Sequence, residues 1–328
     1  MMKVLFFGVR DVERPLFEKL SSKYNYELKL AAGVISLDRM DLLDGVDVVV
    51  VRGQDKVNKE IIDAVKAKGI KYLFTRTVGY DHIDIPYAKE QGFKLARVAS
   101  YSPTAIAELA VSMAHMLTRK SLYFAHKALS GDLTVDPNGF SKELKNSTVA
   151  IIGTGKIGFE AAKMFKGLEA RVVGYDLYPN DNFKDVIEYL TLDQALTQAD
   201  VVSFHMPYFK GQNDEMINKD LIAKMKDGAV LINTARGQIQ NNQDIIDAVK
   251  SKKLYGAGID VLNYESEYFG KKLDVNSQFV KDCNELFPRL LVTPHIGSYT
   301  DEAASNMIEY TLDNINEYVN TGDCKNKL

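Results

Sequence analysis

Short apolar runs alternate with segments of helical periodicity along the whole chain. In the first hundred residues the runs lie at 4–9, 47–52, 71–77 and 94–98. Amphipathic segments separate them, such as residues 58–68 with Ile61, Ile62 and Val65 on one face. Because short, wholly apolar strands between helices are typical of a parallel sheet covered on both faces, this pattern predicts a doubly wound α/β fold.

A second series of the same kind begins near residue 148. Its apolar runs lie at 148–152, 171–175, 201–204, 230–233, 256–259 and 290–292. A long helix is predicted between the two series, after Ser102-Pro103, because Ser is a good N-cap and Pro suits the first helical turn. Apolar residues at helical spacing predict a last helix over 300–319. Residues 263–288 show neither period and are predicted to be irregular.

The turn after the first strand of the second series carries a glycine motif. The run 148–152 is followed by Gly153-Thr154-Gly155-Lys156-Ile157-Gly158 and then by a helical stripe. Glycines at this spacing permit a tight turn, the approach of a pyrophosphate and close helix packing, and the helix N-terminus offers N–H groups to phosphates. Asp176 stands where a ribose diol would be held, and its charge disfavours a 2′-phosphate. The motif therefore predicts NAD rather than NADP.

Three charged side chains follow predicted strand ends in the second series. Arg236 comes after the run 230–233, Glu265 after 256–259 and His295 after 290–292. Ligand sites of open α/β sheets lie at the carboxyl ends of strands, so these residues are candidates for one cleft. Each position is equally explained by a solvent-exposed charge, and spacing alone leaves both interpretations open.

Composition restricts the class of partner. The 328 residues carry 41 basic and 44 acidic side chains, a formal charge of −3, without the excess of Lys and Arg expected of a protein that binds nucleic acid or an anionic membrane. No stretch is long and apolar enough for a transmembrane helix, and the N-terminus lacks the features of a signal peptide. With only Cys283 and Cys324, and no metal-binding spacing of His or Cys, we expect a cytoplasmic protein without a disulfide framework or metal site.

Five stretches together resemble the D-isomer-specific 2-hydroxyacid dehydrogenases, along essentially the whole chain. They are residues 76–84, residues 101–108, the glycine motif, Asn233-Thr234-Ala235-Arg236-Gly237 and Thr293-Pro294-His295. The resemblance implies two doubly wound parallel-sheet domains. A Rossmann NAD-binding domain, residues 102–297, is inserted into a flavodoxin-like substrate domain formed by residues 1–101 and 298–328. It also implies a homodimer and a small 2-oxo or 2-hydroxy acid as substrate.

The resemblance also implies roles for the matching residues. Arg236 would bind the substrate carboxylate and polarise the 2-oxo group, His295 would give a proton to the carbonyl oxygen, and Glu265 would pair with His295. A nearby carboxylate favours imidazolium, which keeps that proton available near neutral pH. The amides of Val78 and Gly79 would hold the substrate carboxylate, and the predicted substrate site further includes Arg76 and Tyr101. The predicted NAD contacts are Gly153, Thr154, Gly155, Lys156, Ile157, Gly158, Asp176, His205, Met206, Pro207, Thr234, Ala235 and Asp260.

Two positions depart from the lactate enzymes of this family. Arg52 stands where those enzymes commonly carry Tyr, and Ser298 stands where they often carry a bulky aromatic residue. Because Ser leaves room and Arg offers a bidentate carboxylate site, we predict reduction of 2-oxoglutarate to (R)-2-hydroxyglutarate with NADH. The alternative explanation of Arg52 is structural: it pairs with an acidic residue at a strand end.

Other functions remain open alternatives to that prediction. Within the family they are reduction of pyruvate to D-lactate and an (R)-2-hydroxyisocaproate-type reaction. A remoter alternative of another class is an NADH-sensing, corepressor-like binding protein, because a fold does not fix a function.

Overall fold

Strands and α-helices alternate along residues 1–328, which the computed structural model describes except for the side chain of Asn138. The strands in the described chain are β1 (Met2–Phe6), β2 (Tyr26–Leu30), β3 (Val48–Val51), β4 (Tyr72–Thr75), β5 (Lys94–Arg97), β6 (Thr148–Ile152), β7 (Arg171–Tyr175), β8 (Glu188–Tyr189), β9 (Val201–Phe204), β10 (Ala229–Asn233), β11 (Leu254–Ile259) and β12 (Leu290–Val292). The α-helices are α1 (Arg14–Ser21), α2 (Lys59–Ala67), α3 (Ile85–Glu90), α4 (Pro103–Thr118), α5 (Ser121–Leu129), α6 (Lys156–Gly167), α7 (Leu192–Gln198), α8 (Lys219–Lys224), α9 (Asn242–Lys250), α10 (Glu265–Tyr268), α11 (Gln278–Leu286) and α12 (Asp301–Thr321).

The chain divides into two units. The first unit is Met1–Ser102 with Tyr299–Leu328, and the second is Pro103–Ser298. Both boundaries lie one residue later than those predicted from the sequence. In the described part of the chain, no helix combines the length and the apolar character needed to cross a membrane.

The first unit is a parallel sheet of strand order β2-β1-β3-β4-β5. All four valines of β3 are buried, because helices cover both faces of the sheet. Ile61, Ile62 and Val65 of α2 pack on one face, and apolar residues of α12 pack on the other. The strand order changes direction between β1 and β3, which makes their carboxyl ends a topological switch point.

The second unit is a parallel sheet of strand order β12-β11-β10-β9-β6-β7-β8. Helix α4 begins at Pro103 as predicted, and it buries Ala107, Ala110 and Met113 in the core that it shares with α6. The switch point lies between β6 and β9, at the end where the glycine motif follows β6. Both units therefore confirm the predicted doubly wound parallel-sheet α/β fold.

Three elements differ from the sequence-based predictions. Strand β2 has only partly buried and exposed residues, because it is an edge strand, and a search for wholly apolar runs misses it. The edge strand β8 has only two residues and gives no periodic signal. The region 263–288 is not irregular throughout, since it contains α10 and α11. Helix α11 carries an apolar stripe of Phe279, Cys283 and Leu286 that the sequence analysis overlooked.

Candidate active site

The turn between β6 and α6 leaves its backbone accessible to a ligand. Gly153 has a φ of +93°, and a side chain there would meet backbone atoms of His205 and Met206 at 2.8 Å. A side chain at Gly158 would lie 2.0 Å from the carbonyl oxygen of Gly153. At Gly155, by contrast, no described atom outside its immediate neighbours lies within 4 Å of the corresponding position. Two glycines thus serve packing, and the third leaves space for a phosphate at the N-terminus of α6.

Asp176 lies directly after β7, beside this glycine turn. Its Oδ2 accepts hydrogen bonds from the backbone N–H of Thr154 at 2.7 Å and from the Thr154 hydroxyl at 3.3 Å. Its Oδ1 accepts from the N–H of Tyr178 at 2.9 Å. The half-buried carboxylate is therefore fixed next to the turn, with acceptor capacity left for hydroxyl donors such as a ribose diol.

Two buried polar atoms at neighbouring strand ends have no hydrogen-bond partner among the described residues. They are Nδ1 of His205, after β9, and Oγ1 of Thr234, after β10. Burial lowers the pKa of His205 to about 4, so the ring is neutral, and its Nε2 pairs with the Ser203 hydroxyl at 2.8 Å. Because buried polar atoms rarely lack partners, these two atoms indicate a polar ligand, and the residues present fit a dinucleotide.

The other predicted cofactor residues lie at the same edge of the sheet. Thr154, Lys156 and Ile157 belong to the turn after β6 and the start of α6, and Met206 and Pro207 follow β9. Ala235 follows β10, where its N–H donates to Oδ1 of Asn233 at 3.0 Å. The structure therefore brings the predicted NAD contacts of three strand ends together around the switch point.

We expect Asp176→Ser to change the choice of cofactor. Removing the carboxylate removes its repulsion of a 2′-phosphate, so the ratio of kcat/KM for NADPH to that for NADH should rise about tenfold or more. Steady-state kinetics with the two cofactors at a fixed 2-oxo acid concentration measures this ratio. Asp181→Ser, at an exposed acid of the same loop region, is the matched control and should leave the ratio unchanged. An unchanged ratio in Asp176→Ser would remove Asp176 from the ribose site.

His295 and Glu265 form an ion pair at the carboxyl edge of the second sheet. His295 follows β12 with a φ of 55°, and Glu265 is the first residue of α10. The Nδ1 of His295 lies 3.1 Å from Oε2 of Glu265. Because Glu265 takes Nδ1, the other ring nitrogen, Nε2, is left as the atom that can give a proton to a substrate.

The surroundings of His295 favour its protonated form. Partial burial works to lower the pKa of His295, and the charge of Arg236 works in the same direction. The hydrogen bond and charge of Glu265, together with the charge of Asp260, outweigh both effects and hold the pKa above its ordinary value. The imidazolium is therefore a proton donor that persists near neutral pH.

Asp260 organises the turn that carries His295. Its Oδ1 accepts from the hydroxyl of Thr293 at 2.6 Å and from the N–H of Ile296 at 2.8 Å, and its Oδ2 accepts from the N–H of Gly297 at 2.8 Å. The residue is 1% exposed, and burial raises the pKa of its carboxyl despite these bonds. The described contacts thus position His295, while a contact of Asp260 with the cofactor stays a prediction.

Arg236 follows β10 at the same edge of the sheet. Its Nη1 donates to the carbonyl oxygen of Ala235 at 2.7 Å, and its own carbonyl oxygen accepts from Nδ2 of Asn233 at 3.1 Å. The guanidinium is half-buried and lies within electrostatic reach of the His295 ring. The second unit therefore brings a fixed cation, a proton donor and its carboxylate partner together, which is what reduction of a carboxylate-bearing carbonyl requires.

One predicted substrate residue of the first unit is not available to a substrate. The Arg76 side chain is 1% exposed, and its Nη1 and Nη2 donate to the two carboxylate oxygens of Glu13 at 2.9 and 3.1 Å. Its Nη2 also donates to the carbonyl oxygen of Gly8 at 2.8 Å. The prediction that Arg76 contacts substrate is therefore wrong, because its guanidinium neutralises a buried carboxylate whose isolation would be costly.

The loop after β4 contains two backbone amides that lack a hydrogen-bond acceptor among the described residues. The carbonyl oxygens of Val78 and Gly79 accept from Nη1 of Arg97 at 2.9 Å and from the Thr77 hydroxyl at 2.7 Å. Among the described residues neither amide has an intramolecular acceptor, so both suit an anion. Tyr101 is fixed through its carbonyl oxygen, which accepts from Nδ2 of Asn306 at 2.7 Å. Ser298 is half-buried and is the last residue of the second unit.

Arg52 lies directly after β3 and lines a cavity at the switch point of the first sheet. Its Nη1 lies 3.4 Å from the carbonyl oxygen of Gly8, which is a long and weak hydrogen bond. The neighbouring carboxylate, Asp55, accepts from the backbone N–H groups of Arg52 and Ile35 at 2.5 and 2.6 Å rather than from the guanidinium. The structure thus gives no support to the explanation that Arg52 pairs with an acid at the strand end.

Two residues beside Arg52, Arg10 and Tyr299, were not predicted from the sequence. The guanidinium carbon of Arg10 lies 3.7 Å from the ring centroid of Tyr299, and Arg10 also donates to the Tyr299 hydroxyl. The guanidinium carbon of Arg52 lies 5.8 Å from the same ring centroid, so the two cations are neighbours, and burial and the charge of Arg52 lower the pKa of Arg10. Arg10 follows β1 as Arg52 follows β3, so its position after a strand was a usable signal. No comparable signal linked Tyr299 to this cavity.

Comparisons with known proteins agree with this geometry. The sequence profile of the D-isomer specific 2-hydroxyacid dehydrogenase NAD binding domain matches residues 111–297. An aromatic 2-oxoacid reductase of Clostridium sporogenes is 38% identical over 99% of both chains. A D-lactate dehydrogenase of Lactiplantibacillus plantarum is 37% identical over 98% of this chain and 97% of its own. The solved structure of Lactobacillus jensenii D-lactate dehydrogenase with NAD+ superposes with a TM-score of 0.87 at 33% identity, covering 100% of this chain and 99% of the other. This chain therefore belongs to the D-isomer-specific 2-hydroxyacid dehydrogenases, and it is an NAD-dependent oxidoreductase.

Proposed function

We propose that the chain reduces pyruvate to D-lactate with NADH. The observation that carries the reaction is the His295–Glu265 pair, with Nδ1 and Oε2 3.1 Å apart, beside the cation Arg236. The choice of pyruvate is supported by the relatives of similar length that are named D-lactate dehydrogenases. They support pyruvate better than the 2-oxoglutarate that the sequence analysis preferred.

In the proposed reaction the side chains move one proton and hold one carboxylate. NADH, when bound, supplies the hydride that C2 of the 2-oxo acid accepts. His295 gives the Nε2 proton to the carbonyl oxygen, so the carbonyl becomes a hydroxyl and the imidazole becomes neutral. Glu265 stabilises the imidazolium before the transfer, and Arg236 binds the substrate carboxylate through charge-assisted hydrogen bonds. For the first unit, the proposed substrate contacts are the amides of Val78 and Gly79 together with Tyr101.

A second candidate substrate, 2-oxoglutarate, is favoured by one observation in the first unit. Arg52 lines a cavity together with Arg10, and neither guanidinium forms an ion pair among the described residues. Two cations without a carboxylate partner suit a dianionic substrate, whose second carboxylate would accept bidentate hydrogen bonds. Ser298, in place of a bulky aromatic residue, is consistent with a longer substrate.

We expect Arg52→Ala to distinguish the two substrates. If the dicarboxylate binds Arg52, loss of a charged hydrogen bond should lower the ratio of kcat/KM for 2-oxoglutarate to that for pyruvate by about 10- to 100-fold. If pyruvate is the substrate, the wild type should prefer pyruvate, and Arg52→Ala should leave that ratio unchanged. NADH oxidation followed with each acid measures both values.

A matched arginine controls for nonspecific effects of lost charge. Arg14 is half-buried and pairs with the exposed Asp11 at 3.1 Å in the same unit, so Arg14→Ala should not alter the substrate ratio. A wild-type preference for 2-oxoglutarate would contradict the pyruvate proposal. An unchanged ratio in Arg52→Ala would contradict the dicarboxylate alternative.

Absence of turnover with any 2-oxo acid would favour the remaining alternative, an NADH-sensing binding protein. The cytoplasmic location and the homodimer stay predictions. Four large apolar side chains between residues 129 and 140 are more than 80% exposed, which is consistent with a surface for a second copy. They are Leu129, Leu133, Val135 and Phe140.

A further inference from the structure

A connected set of amide side chains lies beneath the loop of Arg236. Nδ2 of Asn233 donates to the carbonyl oxygen of Arg236 at 3.1 Å and to Oε1 of Gln240 at 2.7 Å. Nε2 of Gln240 donates in turn to Oδ1 of Asn242 at 2.9 Å and to the carbonyl oxygen of Val261 at 3.0 Å. Asn233 and Gln240 are both 0% exposed, so these bonds form without competition from water.

The same amides hold the segment that leads to Glu265. The N–H of Asn263 donates to Oδ1 of Asn242 at 3.1 Å, and the carbonyl oxygen of Asn263 accepts from Nδ2 of Asn242 at 3.0 Å. The side chain of Asn263 donates to Oε1 of Glu215 at 2.9 Å. Asn263, two residues before Glu265, is therefore fixed through its backbone N–H, its carbonyl oxygen and its side chain.

The two loops also touch directly. A side chain at Gly237, next to Arg236, would lie 1.9 Å from the carbonyl oxygen of Leu262. Only glycine allows this approach, so a shift of the Arg236 loop is passed to the segment before Glu265. Among the described side chains, Gln240 is the amide that bonds to both sides, through Asn233 toward Arg236 and through Val261 and Asn242 toward Glu265.

We propose that Gln240 is a positioning residue, which holds the substrate-binding Arg236 and the proton-donating His295–Glu265 pair in one fixed arrangement. This inference rests on the roles proposed above for those three residues. An apolar residue would fill the same buried volume without orienting either loop. A satisfied amide fixes both loops, because each of its bonds has a required direction.

The pH profile reports on this arrangement. The charged groups that act on His295 are Glu265, Asp260 and Arg236. Of these, Glu265 lies on the segment that Gln240 and Asn242 hold, whereas Asp260 is fixed separately by the turn of His295. If both loops loosen, Glu265 stabilises the imidazolium less, and the smaller, opposing effect of the Arg236 charge offsets only part of that loss. The pKa governing reduction therefore falls toward the ordinary value for histidine.

The test is Gln240→Met, which keeps the length of the side chain and removes its amide. We expect kcat/KM for the preferred 2-oxo acid to fall about 10- to 100-fold, because a small misplacement of catalytic groups has an effect of that size. The alkaline loss of reduction should shift to lower pH. The Kd for NADH, from fluorescence titration, should change far less than kcat/KM, since the glycine turn and Asp176 lie after other strands and only the Ala235 amide is bonded to Asn233.

Gln243→Met is the matched control. Gln243 lies on the exposed face of α9 and donates to Asp247 at 2.9 Å, so its replacement should leave all three measurements unchanged. If circular dichroism shows that Gln240→Met does not fold, the half-buried Asn242→Ala breaks the same connection to Asn263 and should give the same pattern.

A folded variant with wild-type kcat/KM and pH profile would overturn the inference. So would a loss of activity that leaves the pH profile unshifted or that weakens NADH binding equally, because that pattern indicates a general structural role. Failure of the underlying site assignment is separate: it would show as full activity in His295→Ala and Arg236→Lys, whatever Gln240→Met does.

Discussion

Replacement of His295 by Ala should lower kcat for 2-oxo acid reduction by about 10²- to 10⁴-fold, the usual contribution of a general acid. The imidazolium is held by Glu265, whose Oε2 lies 3.1 Å from Nδ1 of His295. NADH binding should be retained, because the glycine turn and Asp176 lie at other strand ends of the same sheet. Steady-state kinetics measure the fall in kcat, and fluorescence titration measures whether the Kd for NADH is retained.

His115→Ala provides the control for this variant. His115 is exposed on α4, away from the strand ends, so its replacement should leave kcat unchanged. If His295→Ala retained full activity, the acid–base assignment would be untenable.

The same proton sets the sign of the pH dependence. Reduction uses protonated His295, whose pKa is raised by Glu265 and Asp260 against the lowering effect of burial. The rate of reduction should therefore persist through neutral pH and decline as pH rises through that raised pKa. Oxidation of the hydroxy acid uses neutral His295, so its rate should increase over the same interval.

Arg236→Lys should lower kcat/KM for the 2-oxo acid by about 100-fold. Lysine keeps the charge but cannot form the paired, planar hydrogen bonds of a guanidinium to a carboxylate, and loss of one charged bond has an effect of this order. The change should appear in KM as well as in kcat, because Arg236 is proposed to bind the ground-state carboxylate and to polarise the carbonyl. Initial rates over a range of 2-oxo acid concentrations separate the two effects.

Arg171→Lys is the corresponding control in the same unit. Arg171 pairs with Glu188 at 2.8 Å on the surface at the start of β7, far along the strand from the carboxyl edge. Its replacement should leave both constants unchanged. Wild-type kinetics in Arg236→Lys would show that the substrate carboxylate is bound elsewhere.

Local signals in the sequence were sufficient to predict most of the strands and the main candidate site residues of the second unit. The wholly apolar runs located the buried strands, and the rule that ligands bind at carboxyl ends selected Arg236, Glu265 and His295. The glycine motif followed by Asp176 predicted a dinucleotide turn. These features depend on residues close together in the chain, so a single sequence carries them.

Long-range pairing could not be read in the same way. Arg76 follows a strand, as Arg52 does, yet it is buried against Glu13, which is 63 residues away. Strand β2 lacks a fully apolar run because it lies at the edge of the sheet, where its residues are only partly buried or exposed. The link from Gln240 to Val261 joins residues 21 apart, and nothing in the spacing of amides predicts it.

The most direct test of the central claim combines turnover with product stereochemistry. Purified wild-type chain is incubated with NADH and with pyruvate or 2-oxoglutarate, and the product is resolved by chiral chromatography, with His295→Ala in parallel. We expect NADH oxidation with at least one acid, an (R)-2-hydroxy acid as the only enantiomer, and almost no product from the variant. An (S) product, or no turnover of any 2-oxo acid, would contradict it.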